Sequence, residues 1–277
     1  MDSTKLIKPR TREAVIQSLR SGVVPRVGLQ YVQVGREKEL QSFIGDINNI
    51  SEGGTSFRFL IGEYGSGKTF FASLVRSIAL EKNLVTMHAD LSPTKRLCGS
   101  EGHARRLFSE LVSSISTRTK QDGNALSIVL DKFIMKVDQK SGGNATGEAI
   151  MKELEELTGY TAGFSFASAV ARYWEGHHSG DETLKKNALK WLFAEYSAKT
   201  DSNKELHIRE IISDASFFDS LKLYSVLVRK AGYNGLFICL DEMVNLYKIT
   251  NTTSRKSNYE QILYMLNNTI QGSAQGI

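Results

Sequence analysis

With only two cysteines, Cys98 and Cys239, in 277 residues, the sequence excludes a disulfide scaffold, and no Cys/His group has zinc-site spacing. Three prolines exclude Pro-rich and collagen-like chains. No apolar run approaches the roughly 20 residues that span a bilayer, and the opening stretch MDSTKLIKPRTREAV is too polar for a secretory leader. The expectation is a protein of the reducing cytoplasm with no membrane partner, and its Asn-x-Thr triplets at Asn144, Asn251 and Asn267 are chance matches. Hydrophobic residues make up 41% and charged residues 23%, which excludes global disorder.

Net charge is +5, and it is uneven. Residues 1–40 hold eight Lys/Arg against four Asp/Glu, while the remainder is almost neutral. Such a basic segment is suited to a phosphate backbone, double-stranded DNA included, or to solubility alone. Residues 1–33 form a basic lead-in, with a short helix over 11–20 and an extended stretch over 23–34. Residues 34–277 form one domain.

Within that domain Leu40, Phe43, Ile44 and Ile47 recur at helical spacing. Residues 57–61 (FRFLI) read as a strand, 62–67 as a glycine loop, 70–81 as an amphipathic helix and 84–91 as a second strand. Strand, loop, helix, strand begins a parallel α/β sheet. Helical patterns follow at 104–117, 125–137, 147–157, 167–175, 183–199 and 217–231, with breaks between them that include 200–203. They constitute a helical insertion over about 100–232. Residues 235–241 return to an apolar strand, followed by a polar loop around 250–256 and a helix over 259–270.

The strongest signal is Gly62-Glu63-Tyr64-Gly65-Ser66-Gly67-Lys68-Thr69, followed by Phe70, which matches GxxxxGK[ST] without deviation. Glycines let successive N–H groups turn inward toward phosphate oxygens, and the following helix adds its positive end. In that pattern Lys68 reaches the β- and γ-phosphates of ATP and the Thr69 hydroxyl ligates Mg²⁺. The second signal is Leu236-Phe-Ile-Cys-Leu-Asp241-Glu242, an apolar strand that delivers two carboxylates beside the loop. Asp241 is expected to hold Mg²⁺, and Glu242 to orient and polarise the attacking water. The pair favours a hydrolysing ATPase over a small-molecule kinase. The third signal is Gly35-Arg36-Glu37-Lys38-Glu39-Leu40, similar to an element that precedes the loop and lies near adenine in AAA+-like ATPases. His177-His178 reads as a surface loop, Cys239 as a small core residue, and Trp174 and Trp191 as core.

Residues 62–71 (GEYGSGKTFF), the helical interval, and residues 231–242 (AGYNGLFICLDE) together resemble the ATP-binding proteins of BREX-type phage-defence systems, the BrxC/BrxD family. The likeness covers most of residues 25–277. It implies an AAA+-like P-loop NTPase fold, a parallel sheet flanked by helices with the large insertion between the two motifs. It also implies ATP and Mg²⁺ binding, homo-oligomerisation, other defence proteins as partners, and a role against foreign DNA. Family members continue beyond the second motif, so the resemblance makes this chain an N-terminal fragment, and it leaves hydrolysis by this chain alone open. The alternative expectation is a nucleotide-dependent switch that recruits an effector and turns over little ATP.

Overall fold

The computed structural model describes residues 7–25, 28–100, 102–272 and 274–277. Lys5 and Arg26 of the basic segment lie outside the described residues. Elements follow the chain as α1 (Pro9–Arg20), α2 (Glu37–Ser51), α3 (Lys68–Glu81), β1 (Val85–Asp90), α4 (His103–Ser113), α5 (Leu126–Lys140), α6 (Gly147–Glu153), α7 (Gly163–Ser179), α8 (Glu182–Leu192), α9 (Lys199–Leu206), α10 (Phe217–Lys230), β2 (Leu236–Asp241), α11 (Val244–Tyr247) and α12 (Thr252–Ile270). The architecture is helix-rich around a small parallel sheet of two strands. Val85 stands opposite Leu236 at one end, and Asp90 opposite Asp241 at the other.

The sheet is covered on both faces, as apolar parallel strands require. Side chains alternate along each strand. Val85, Met87 and Ala89 join Leu236, Ile238 and Leu240 in the main core, under Phe108, Leu111, Leu227 and Val228 of α4 and α10. On the opposite face Phe237 meets a second cluster, in which Ile47 and Ile50 of α2 pack with Phe71, Val75 and Ala79 of α3. Each fully buried Leu, Ile, Val or Phe contributes about 1.5–3 kcal/mol. The main core therefore anchors the sheet, and the smaller one seats α3 on it. Thr86, His88 and Asp90 consequently share the α3 face with Phe237, Cys239 and Asp241.

Several expectations need correction. Residues 57–61 are not a strand. The first amide of β2, Leu236 N, donates to Gly276 O; Gly276 N donates to Gly54 O, and Ser56 N to Ile277 O. Residues 276–277 thus lie between β2 and the segment entering 57–61, which has no ladder partner among the described residues. Arg58 ties that segment to α2 through two bonds to Asp46, at 2.7 and 3.0 Å, while Phe59, Leu60 and Ile61 are exposed. The expected extended stretch over 23–34 contains a 3-10 turn, Leu29–Tyr31. The expected helix over 183–199 stops at Leu192, where Ala194 takes a left-handed φ of 56°. Arg105 Nη1 donates to the freed carbonyls of Ala194 and Tyr196. The expected break at 200–203 lies inside α9. The polar stretch 252–256 is helical because the Asn251 side chain caps Ser254 N at 2.8 Å.

Candidate functional site

The glycine loop ends where α3 begins. Gly67, with φ 81°, sits immediately before Lys68, and no side chain caps the helix. Its first-turn amides have no capping side chain among the described residues, a geometry that favours anions. Gly65 also has positive φ, at 77°. At Gly62 the constraint is space, because a Cβ there would stand 2.6 Å from Ser66 Oγ. That hydroxyl is itself buried with no hydrogen-bond partner among the described residues. Lys68 Nζ folds back on its own loop, donating to Gly62 O at 3.0 Å and Glu63 O at 2.8 Å. An ammonium resting on two neutral carbonyls in an open loop is available to an incoming anion. Tyr64 is fully exposed, and Phe70 is half-buried.

Gly35 supplies a left-handed turn, φ 76°. It sends Arg36 to the loop, where the guanidinium donates to the Ser66 carbonyl and stands 5.6 Å from the Phe71 ring centroid. The Gly-Arg element is therefore joined to the glycine loop by a direct contact.

At the far end of β2, Thr69 Oγ1 donates to Asp241 Oδ2 at 3.2 Å, across 172 positions of sequence. The other carboxylate oxygen accepts from Glu242 N at 2.7 Å. Glu242 has φ 58°, a left-handed conformation that costs a non-glycine residue about 1–2 kcal/mol. Its side chain is exposed. A hydroxyl beside a carboxylate is a donor set that suits a hard cation such as Mg²⁺.

Beside this pair is a cavity of about 90 Å³ lined by Thr69, Ser73, Arg76, His88, Cys239 and Asp241. Burial holds the Arg76 guanidinium below its usual pKa. Its donors go to Thr86 Oγ1, Ser116 Oγ and Gln121 O. The Cys239 thiol is pushed up to about 12, chiefly by burial, with the Asp241 and Asp90 carboxylates acting in the same direction. It is a neutral thiol at the cavity wall, only partly buried, so it is not the core residue expected.

Sequence reasoning passed over His88 and Asp90. The available signal was their alternation at the end of a strand, which puts both on one face. His177 and His178 lie in the last turn of α7 rather than in a loop; His177 stacks on Tyr173 and His178 on Trp174. Trp191 is in the core, and Trp174 is half-buried against it.

No helix among the described residues is long and apolar enough to cross a membrane. Searches of curated proteins and of solved structures gave no match. The family model described as BREX system ATP-binding protein BrxC/D matches residues 7–277. With nearly the whole length matched, the chain belongs to the BrxC/D family of BREX system ATP-binding proteins.

Proposed function

We propose that the chain binds ATP with Mg²⁺ in a P-loop NTPase fold and hydrolyses it in phage defence, acting on DNA or on a DNA-bound complex. The observation that carries this reading is the meeting of Thr69 and Asp241 at 3.2 Å, beside an uncapped α3 and a lysine that donates to two carbonyls of its own loop. In this reading residues 62–70 wrap the phosphates and Lys68 leaves its carbonyls for the terminal phosphate groups. Thr69 and Asp241 hold Mg²⁺, and Glu242 orients water. Bound Mg²⁺ would neutralise phosphate charge during transfer. Gly35 and Arg36 support the loop, and the contact of Arg36 with the Ser66 carbonyl favours this over a direct adenine contact. The domain is assigned to residues 34–277, with the helices at about 100–232 as its insertion and 1–33 as a basic lead-in. Homo-oligomers, DNA and other defence proteins are its partners.

The test is steady-state ATP hydrolysis with Mg²⁺, with and without double-stranded DNA, for wild type, Lys68→Ala and Glu242→Gln. Turnover raised by DNA and abolished in both variants supports the reading. ATP binding without turnover, lost only in Lys68→Ala, points to the nucleotide-dependent switch that recruits an effector. Turnover unaffected by either substitution refutes both.

A further inference from the structure

The parallel register does more than deliver Asp241. It places Asp90 directly opposite Asp241 and His88 opposite Cys239. With two-residue alternation, His88, Asp90 and Asp241 all emerge on the α3 face at the C-terminal end of the sheet. One ligand atom from each lies within 4.8 Å of the others, and His88 Nε2 is 3.6 Å from Asp90 Oδ1. Two ligands bound tetrahedrally at about 2.1 Å from one ion stand about 3.4 Å apart, so the His88–Asp90 pair is close to that spacing and the remaining pairs close by about 1.4 Å at most. His88 and Asp241 line the cavity of about 90 Å³, with Asp90 beside them, and a water molecule takes about 30 Å³. An ion and one or two waters fit beside it. Arg76, which lines the same cavity, is committed to Thr86, Ser116 and Gln121.

We infer that His88, Asp90 and Asp241 form a site for a divalent transition metal, filled without nucleotide. The imidazole decides the class of ion. Mg²⁺ takes oxygen ligands and releases water reluctantly, whereas an imidazole with two carboxylates suits Mn²⁺, Co²⁺ or Zn²⁺. Neither His88 nor Asp90 has a role in the phosphate loop, and the site shares only Asp241 with the proposed ATP site. Its occupancy does not depend on Lys68.

The experiment is titration of tag-free protein with Mn²⁺ alone, followed by loss of the free-ion electron paramagnetic resonance signal. Wild type should bind one Mn²⁺. Asp90→Asn and His88→Gln should each weaken binding at least tenfold. Asp90 is exposed, so its variant tests the site without disturbing the core. Lys68→Ala should change Mn²⁺ affinity less than twofold, and a hundredfold excess of Mg²⁺ should displace less than half of the bound Mn²⁺. Absence of binding, equal competition by Mg²⁺, or unchanged affinity in both Asp90→Asn and His88→Gln overturns the inference. Mn²⁺ binding in a chain that fails to bind ATP would leave this site standing and refute the nucleotide reading alone. ATP-Mg²⁺ binding with no Mn²⁺ site would do the reverse.

Discussion

Removing the Lys68 ammonium isolates the contribution of one charge to nucleotide binding. Its two bonds, to Gly62 O and Glu63 O, are to neutral acceptors in an exposed loop, each contributing about 0.5–1.5 kcal/mol. Moving both from neutral carbonyls to phosphate pairs the ammonium with a charged acceptor, at about 1.5–3 kcal/mol each. The net gain on binding is then about 2–3 kcal/mol. A Coulomb estimate gives the same scale, about 4 kcal/mol for unit charges 4 Å apart at an effective dielectric of 20, before further screening in so open a loop. Lys68→Ala should therefore raise the Kd for ATP-Mg²⁺ by about 30- to 150-fold. Isothermal titration calorimetry at fixed salt measures this, and thermal unfolding without ligand serves as control. Because the lost bonds are exposed, the unliganded midpoint should move by less than about 2 °C. A Kd within threefold of wild type would refute the assignment of the loop as a phosphate site.

Three further outcomes follow from local geometry. Glu242→Gly relieves a left-handed residue with φ 58° and should stabilise the protein by about 1 kcal/mol, measured by urea unfolding, while abolishing ATP turnover; a destabilised variant would contradict the strain argument. Asn258 is fully buried and joins α12 to the loop after β1, accepting from Cys98 N at 3.0 Å and donating to Cys98 O at 2.9 Å and Ser254 O at 2.8 Å. Asn258→Ala leaves the loop's backbone groups unpaired, so it should cost about 2–4 kcal/mol, and a loss below about 1 kcal/mol in denaturant unfolding would count against that join. Glu153 is held below its usual pKa, first by the Lys140 hydrogen bond and also by Lys230. Its stabilisation is therefore present above the unfolded carboxylate pKa of about 4.3 and lost as pH falls through the lower folded value. Glu153→Gln should cost about 0.5–1 kcal/mol at neutral pH and nothing once the pH has fallen through the lowered folded value, read from urea midpoints across pH.

Wherever one local rule decided the structure, the sequence was legible. The apolar run of β2, the helix after the glycine loop and the glycine spacing are set within a few residues of themselves. The meeting of Thr69 with Asp241 could be anticipated because motif residues 172 positions apart have few ways to share a parallel sheet. Residues 57–61 were misread because a strand exists only by pairing, and this segment has no ladder partner among the described residues. The end of α8 was hidden for a similar reason: the carbonyls just past it, of Ala194 and Tyr196, are held by Arg105, on another helix. His88 and Asp90 carry no motif, and their closeness to Asp241 comes from strand register, which composition and spacing do not specify.

In the proposed function ATP is held by the loop at 62–70 beside Asp241. Amide hydrogen exchange with and without ATP-Mg²⁺, resolved along the chain, tests it most directly. Exchange should slow at residues 62–71, where α3 begins uncapped, and around Asp241 and Glu242. That protection should vanish in Lys68→Ala. Protection confined to other segments, or none at saturating ATP-Mg²⁺, would contradict it.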